Sequence, residues 1–150
     1  MPARGYRAVA RRRKRLACPL RPPGLVCARP VETEELRDRL AVIAMATESF
    51  VGVNLIEHLL VDLVAFLKGG RVARAAASDA LIGLIEPWPG APEVLEFTMR
   101  ELRWPEVKSA LEAHVASESD FRTRDLASNV LQVYEDDWPG GEIYRTYRDP

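Results

Sequence analysis

Hydrophobic residues recur at intervals of three and four positions through most of residues 31–150, a spacing that places them on one face of a helix. The clearest predicted helix lies between Asn54 and the stop at Gly69–Gly70. Asn54, with Glu57 three positions later, resembles a capping box, and glycines are typical of a helix end. Glu57, His58 and Asp62 fall off the apolar stripe and are predicted to face solvent. The stripe consists of Leu55, Ile56, Leu59, Leu60, Leu63, Val64 and Leu67.

Five further segments have helical periodicity. Thr33 is a predicted N-cap for the first of them, because its hydroxyl can accept a hydrogen bond from an unpaired backbone N–H. No segment shows convincing polar–apolar alternation next to a hairpin turn, so strands are not expected. The chain is therefore predicted to be all-α, with about six helices packed as antiparallel pairs. The five segments are 34–47, 72–85, 92–102, 105–116 and 121–135.

An internal repeat runs through this pattern. Residues 71–90 align without a gap on residues 121–140, and both copies end in Trp-Pro-Gly. The preceding predicted helices, 55–67 and 105–116, lie at the same offset, so each unit is predicted to be a helix pair that ends near residue 90 or 140. The identical pairs are Arg74/Arg124, Ala77/Ala127, Ser78/Ser128, Leu81/Leu131, Trp88/Trp138, Pro89/Pro139 and Gly90/Gly140.

The second helix of each unit resembles the second helix of HEAT repeats, which often reads as an arginine followed by alanines and leucines. The resemblance covers about residues 55–138 and implies a HEAT-like binding scaffold rather than a catalyst. Trp-Pro-Gly departs from the HEAT pattern, and two units are fewer than a solenoid usually needs, so a compact bundle is the alternative. The matching residues are Arg74, Ala77, Ala80 and Leu81 in one copy and Arg124, Ala127, Val130 and Leu131 in the other.

Charge divides the chain into two parts. Residues 1–30 contain nine of the 21 basic residues and no acid, which leaves 12 basic against all 22 acidic residues in 31–150. The second part therefore has an excess of ten negative charges and is predicted to have an acidic surface. The first part is rich in arginine and proline and has no periodic apolar face, so it is predicted to be a disordered arm.

Two interpretations of residues 1–30 remain open. A basic arm of this kind can bind nucleic acid by releasing counterions from phosphates. Alternatively, the segment is the product of a mistaken start, since a composition dominated by Arg, Pro and Ala is what GC-rich DNA encodes by chance and Val31 begins the first patterned segment. The intact mass of the native protein separates the two.

The sequence offers no apolar span suited to a membrane and no apolar core of a signal peptide. The most apolar run, 50–67, is interrupted by polar and charged residues that lipid does not tolerate unpaired. The basic N-terminus has only a short apolar stretch, which is broken by Pro19. A cytoplasmic location and no membrane association are therefore expected.

Catalytic signals are sparse. Both cysteines, Cys18 and Cys27, lie in the basic arm at a spacing that matches no zinc motif. His58 and Asp62 share one helix face and can contribute to a metal site with nearby acids, but the simpler interpretation is a solvated face. His114 stands alone and is expected to be packed. The prediction is no catalytic residue, no metal and no cofactor.

The C-terminal region contains the candidate partner-binding residues. Three consecutive acids form a cluster that is either a solvated helix end or a patch for a basic partner. Trp138, like Trp88, is either a buried cap or an exposed anchor. The tail tyrosines either dock on the helices or form an interface, in which Tyr and Arg are common. The candidates are Glu135, Asp136, Asp137, Trp138, Tyr144, Arg145, Tyr147 and Arg148.

Three classes of function follow. The favoured hypothesis is a non-enzymatic protein-binding module with an acidic surface, such as an adaptor or an immunity- or antitoxin-type inhibitor of a basic partner. The first alternative is a nucleic-acid-associated protein, which requires residues 1–30 and is opposed by the negative charge of 31–150. The second alternative is a small metal-dependent enzyme that uses His58 and Asp62.

Overall fold

The computed structural model describes residues 30–49, 52–85, 89–117 and 120–148, with the side chains of Pro30 and Val31 left aside. These residues form helices joined by turns, without a strand, and the all-α prediction is confirmed. The basic arm, apart from Pro30, and Trp88 lie outside the described residues. The helices are α1 (Pro30–Ser49), α2 (Glu57–Lys68), α3 (Arg74–Ile82), α4 (Ala91–Leu102), α5 (Pro105–Ala116), α6 (Phe121–Leu131) and α7 (Arg145–Arg148).

Short 3₁₀ turns extend several of these helices. Those at Gly83–Ile85 and Gln132–Tyr134 continue α3 and α6, which accounts for the longer segments that periodicity predicted. Those at Val53–Leu55 and Pro139–Ile143 precede α2 and α7. The sequence identified six of the seven α-helices that the described residues form; it missed α7, which is a single turn and has too few residues to show a period.

Two predicted helix starts are wrong. Helix α1 begins at Pro30, so Thr33 lies inside the helix and is not its N-cap. Proline suits the first turn because its missing N–H has no helical partner there. At α2, neither Asn54 nor Ile56, the residue before the helix, makes a side-chain capping bond. Glu57 is turned into the protein and is only 6% exposed, although the stripe predicted it to face solvent.

Helix α4 lies at the centre of the packing. It contacts α2 on one side and α6 on another, while α1 packs on α2 and α3, and α3 packs on α5. Besides Ala91 at its start, five of its residues are almost completely buried, which is more than one face of a surface helix provides. They are Val94, Leu95, Phe97, Thr98 and Met99, and the hydroxyl of Thr98 donates to the carbonyl oxygen of Val94 at 2.6 Å.

The two repeat units share buried positions but pack differently. Ala77 and Ala127 are both completely buried. Helices α5 and α6 pack along their lengths across a short connection, which makes them an antiparallel pair. Helices α2 and α3 barely touch, because α2 packs on α4 and α1 instead. The final glycines differ too: Gly90 has a left-handed backbone with φ of 78°, whereas Gly140 lies in a 3₁₀ turn without a positive φ.

Asp120 caps the start of helix α6. Asp120 accepts hydrogen bonds from the backbone N–H groups of Arg122 at 2.9 Å and Thr123 at 3.2 Å, and from the Thr123 hydroxyl at 2.6 Å. The bonds from Thr123 and Arg122 hold the pKa of Asp120 below its ordinary value. The start of α6 is thereby fixed at Phe121.

Candidate functional site

Four aromatic residues bring the C-terminal segment onto α4. The ring centroid of Tyr144 lies 5.2 Å from that of Phe97 and 5.6 Å from that of Trp138, and Tyr147 lies 5.5 Å from Phe97. Tyr144 is completely buried, Trp138 is 9% exposed, and Tyr147 is half-buried. The tail tyrosines therefore dock on the helices, and Trp138 is a buried cap. A surface partner reaches neither Tyr144 nor the Trp138 ring in this conformation.

Two glycines let the chain turn over the indole of Trp138. A Cβ atom on Gly140 would lie 2.8 Å from Trp138 Nε1, and one on Gly141 would lie 3.0 Å from Trp138 Cε3. Both glycines are thus explained by close approach to the ring rather than by an unusual backbone conformation. The sequence indicated only a turn at this place.

The backbone of the C-terminal segment is anchored by Glu57. Its carboxylate accepts hydrogen bonds from the backbone N–H groups of Arg145 at 3.0 Å and Thr146 at 2.7 Å, and from the Thr146 hydroxyl at 2.6 Å. Although burial opposes ionisation, these bonds and the charge of Arg145 lower the pKa of Glu57 below its ordinary value of 4.5. A carboxylate on α2 therefore caps α7 across 88 positions of sequence.

The tyrosine hydroxyls are also paired with carboxylates. The Tyr147 hydroxyl donates to Glu101 Oε1 at 2.8 Å, and Lys68 Nζ lies 2.6 Å from Glu101 Oε2. The Tyr144 hydroxyl donates to Glu96 Oε2 at 3.3 Å. Burial raises the pKa of Glu96 to about 7, and the neighbouring charge of Glu93 adds to the effect, while the bond from Tyr144 opposes it.

The pKa of Glu96 leads to a prediction about stability. Because the folded pKa is about 7 and the ordinary value is 4.5, stability contributed by the protonated carboxyl is present below pH 4.5 and lost as the pH rises through 7. Glu96→Gln keeps an acceptor for Tyr144 without the charge. We expect it to raise the free energy of unfolding by about 1 kcal/mol at pH 8 and to change it little at pH 4. Urea unfolding at both pH values measures this.

A matched control is Glu112→Gln, the same substitution at an exposed position of α5. With this control, the difference in the free energy of unfolding between pH 4 and pH 8 is expected to be the same as in the wild type. Equal effects of Glu96→Gln at pH 4 and pH 8 would contradict a buried carboxyl that ionises between them.

Arg100 fixes the backbone around the predicted acidic cluster. Its guanidinium donates to the carbonyl oxygens of Val133 at 3.0 Å, Glu135 at 2.6 Å and Asp136 at 3.3 Å. The same group lies 5.7 Å from the ring centre of Trp138. A cation at these carbonyls satisfies the acceptors that a helix end leaves unpaired.

The side chains of Glu135, Asp136 and Asp137, together called the acidic corner, are all exposed. Of these three side chains, only Asp136 forms an ion pair with a described residue, at 3.9 Å from Arg103 Nη2. The Asp136 side chain is fully exposed to solvent. An exposed pair at this distance contributes little to stability. The acidic corner thus presents carboxylates from a backbone that Arg100 holds in place.

Trp104 is a buried residue at the corner between α4 and α5. It is 8% exposed, and its carbonyl oxygen accepts a hydrogen bond from the Tyr134 hydroxyl at 3.0 Å. Arg74 lies over the indole at 5.3 Å and donates to Glu106 Oε1 at 2.6 Å and Oε2 at 2.8 Å. The repeat arginine of the first unit therefore joins α3 to α5.

The alternative of a metal site at His58 and Asp62 gains no third ligand from the described residues. His58 and Asp62 are both exposed on α2, whereas Glu57 is turned toward α7. No group of three or more His, Cys, Asp or Glu side chains suited to a metal ion is found within the described ranges. His114 is half-buried on α5.

Sequence reasoning missed the roles of Glu57, Glu96 and Arg100. Their partners lie between 33 and 89 positions away along the chain, so no local spacing identifies them. The one available signal for Glu57 is its place beside a strongly apolar stripe, where a carboxylate needs a partner if it is buried.

In the parts of the chain that the structure describes, no helix is both long and apolar enough to cross a membrane. Comparison of the chain with protein-family models, with curated proteins and with solved structures finds no match.

Proposed function

We propose that this protein is a non-enzymatic binding module that uses the acidic corner to contact a basic protein partner. The observation that carries the proposal is the combination of three exposed, adjacent carboxylates with a backbone clamped by Arg100. A fixed backbone means that little conformational entropy is lost when a partner binds. Adjacent negative charges accelerate encounter with a basic surface.

Two exposed arginines on α7 follow the acidic corner along the chain. Arg145 and Arg148 both have solvent-exposed side chains, and Arg148 Nε donates to the carbonyl oxygen of Glu142 at 3.1 Å. Three of the predicted contact residues, Trp138, Tyr144 and Tyr147, pack against the helices and hold the C-terminal segment in place. The proposed contact surface therefore comprises Glu135, Asp136, Asp137, Arg145 and Arg148.

The proposed binding module is a HEAT-like scaffold that acts as an inhibitor or adaptor in the cytoplasm. A HEAT-like relationship is supported by the buried alanines Ala77 and Ala127 and by the α5–α6 pair. An immunity- or antitoxin-type inhibitor of a basic protein is the form of binding module that the excess negative charge of residues 31–150 favours. A cytoplasmic location completes the proposal, because adaptors and inhibitors of this type meet their partners inside the cell.

The test compares a variant of the acidic corner with a charge-matched control. The variant carries Glu135→Gln, Asp136→Asn and Asp137→Asn; the control carries Glu34→Gln, Glu48→Gln and Asp79→Asn, which are equally exposed on α1 and α3. Each chain is tagged and used to capture proteins from a lysate of the source organism. We expect a stoichiometric basic partner on the wild type and the control, and an affinity about tenfold or more weaker for the variant.

Titration of the purified partner at two salt concentrations completes the measurement. Salt is expected to weaken binding of the wild type more than binding of the variant, because the variant lacks the screened charges. A partner retained equally by wild type and variant would place the contact elsewhere, and capture of no stoichiometric partner would remove the proposal.

A further inference from the structure

A second group of acidic side chains lies where α2 packs on α1. A groove of about 280 Å³ runs between the two helices. Its walls include Glu35, Asp38 and Val42 from α1 and Leu59 and Asp62 from α2. We refer to these five residues as the α1–α2 groove.

The groove combines apolar surface with negative charge. Val42 is 52% exposed, and Met45, one turn farther along α1, is 68% exposed. Asp38 and Asp62 make no hydrogen bond or ion pair within the described residues. Apolar surface bordered by carboxylates suits a ligand that has both aliphatic and cationic side chains.

Arg39 is the one cation among the described residues that line the groove, and it is paired with Glu35. Its Nη2 atom donates to Glu35 Oε1 at 2.9 Å, and its guanidinium lies 4.7 Å from the ring centre of Phe66. A second arginine, Arg71, reaches Glu35 at 3.8 Å. Asp38 and Asp62 are thus the carboxylates that a basic ligand would neutralise.

We propose that residues 1–29 of this chain bind in the α1–α2 groove. The first argument is charge: the segment has nine Arg and Lys residues and no acid, whereas the groove has three carboxylates. The second is composition: Leu16, Leu20, Leu25 and Val26 supply aliphatic side chains for Val42 and Leu59. The proposed contact is separate from the acidic corner.

Chain connectivity supports the same occupant. Residue 29 joins the first residue of α1, and Val42 lies twelve positions along that helix, or about 18 Å at the rise of an α-helix. About six residues of extended chain cover this distance. Residues 1–29 are therefore long enough to turn back along α1 and follow the whole groove.

Tethering strengthens this contact without further interactions. A segment joined to α1 by a short connection reaches an effective concentration on the order of mM at the groove. A modest electrostatic affinity then suffices to keep the groove occupied. A separate basic protein competes for the groove only by binding more tightly than the tethered segment.

The two cysteines of the chain provide the test, since Cys18 and Cys27 both lie within the segment. The full chain with Cys27→Ser is labelled at Cys18 with a nitroxide, and amide signals are recorded by NMR. We expect paramagnetic loss of intensity at Val42, Leu59 and Asp62 in low salt. The loss should disappear at about 1 M salt, where the Debye length is about 3 Å.

Two variants of the labelled full chain make the result specific. Glu35→Gln with Asp38→Asn and Asp62→Asn removes the groove carboxylates and should restore the intensities. Glu34→Gln with Glu48→Gln and Asp79→Asn removes the same charge from exposed positions outside the groove and should leave the loss in place. Urea unfolding of both variants checks that they are folded.

Several results of this experiment would overturn the proposal. They are no intensity loss in the wild type, equal loss in wild type and groove variant, and restoration by both variants alike. Another is an equal loss in unlabelled, isotope-enriched chain that is mixed with nitroxide-labelled chain, because it would assign the segment to a groove of another copy. An intact mass of the native protein that lacks residues 1–29 would overturn the proposal as well.

Discussion

Replacing Tyr144 with alanine is expected to lower the free energy of unfolding by about 3–5 kcal/mol, the range for removing a large aromatic side chain from a core. Tyr144 is completely buried and touches Phe97 and Trp138. Its removal leaves a cavity between α4 and the C-terminal segment. It also leaves the half-buried Glu96 carboxyl without the hydrogen bond from the Tyr144 hydroxyl. Urea unfolding at pH 7, followed by circular dichroism, measures the change.

Two controls separate the contributions of the Tyr144 side chain. Tyr144→Phe keeps the ring and removes only the hydroxyl, so its effect should be about 1 kcal/mol. Ile143→Ala, at the preceding and 47% exposed position, should stay within about 0.5 kcal/mol. A loss for Tyr144→Ala no larger than that for Ile143→Ala would mean that the segment does not form part of the cooperative core.

Replacing Glu57 with alanine is expected to lower the free energy of unfolding by about 2–3 kcal/mol. Hydrogen bonds to a charged group are stronger than neutral ones, and this carboxylate accepts three of them. Without it, two backbone N–H groups at the start of α7 lose their acceptor. Because α7 follows the segment that covers Trp138, a red shift of tryptophan emission is expected in the same variant.

The acid side of the stability curve gives a second measure of Glu57. Its folded pKa lies below the ordinary 4.5, so its contribution is present above pH 4.5 and disappears as the pH falls through the folded value. Stability of the wild type should therefore decline more steeply below pH 4.5 than that of Glu57→Ala. Glu112→Gln, at an exposed position of α5, is the control and should follow the wild type closely.

These two predictions bear on the proposed binding surface. Arg145 and Arg148 are held by the bond between α7 and Glu57, whereas the acidic corner is held by Arg100. Glu57→Ala should therefore disturb the arginine side of the surface before the carboxylate side. If a partner contacts both the carboxylates and the arginines, its affinity for the Glu57→Ala variant should be lower than for the wild type. The decrease should grow with the fraction of molecules in which the C-terminal segment is detached.

Local sequence determined the secondary structure. Helices α4, α5 and α6 begin at or within one residue of the positions that proline and apolar spacing predict, and α2 stops at Gly69 as expected. Helix formation depends on residues three and four apart and on the groups at helix ends, all of which the sequence displays directly.

Tertiary structure decided which helices pair and which polar groups are buried. The repeat predicted that α2 pairs with α3, but α2 packs on α4, because its apolar stripe is covered best by the most buried helix of the fold. Glu57 and Thr146 lie 89 positions apart, and Tyr144 and Glu96 lie 48 apart. Hydrogen bonds across such separations leave no periodic trace in the sequence, so only the packed chain could place Glu57 inside and the C-terminal tyrosines against α4.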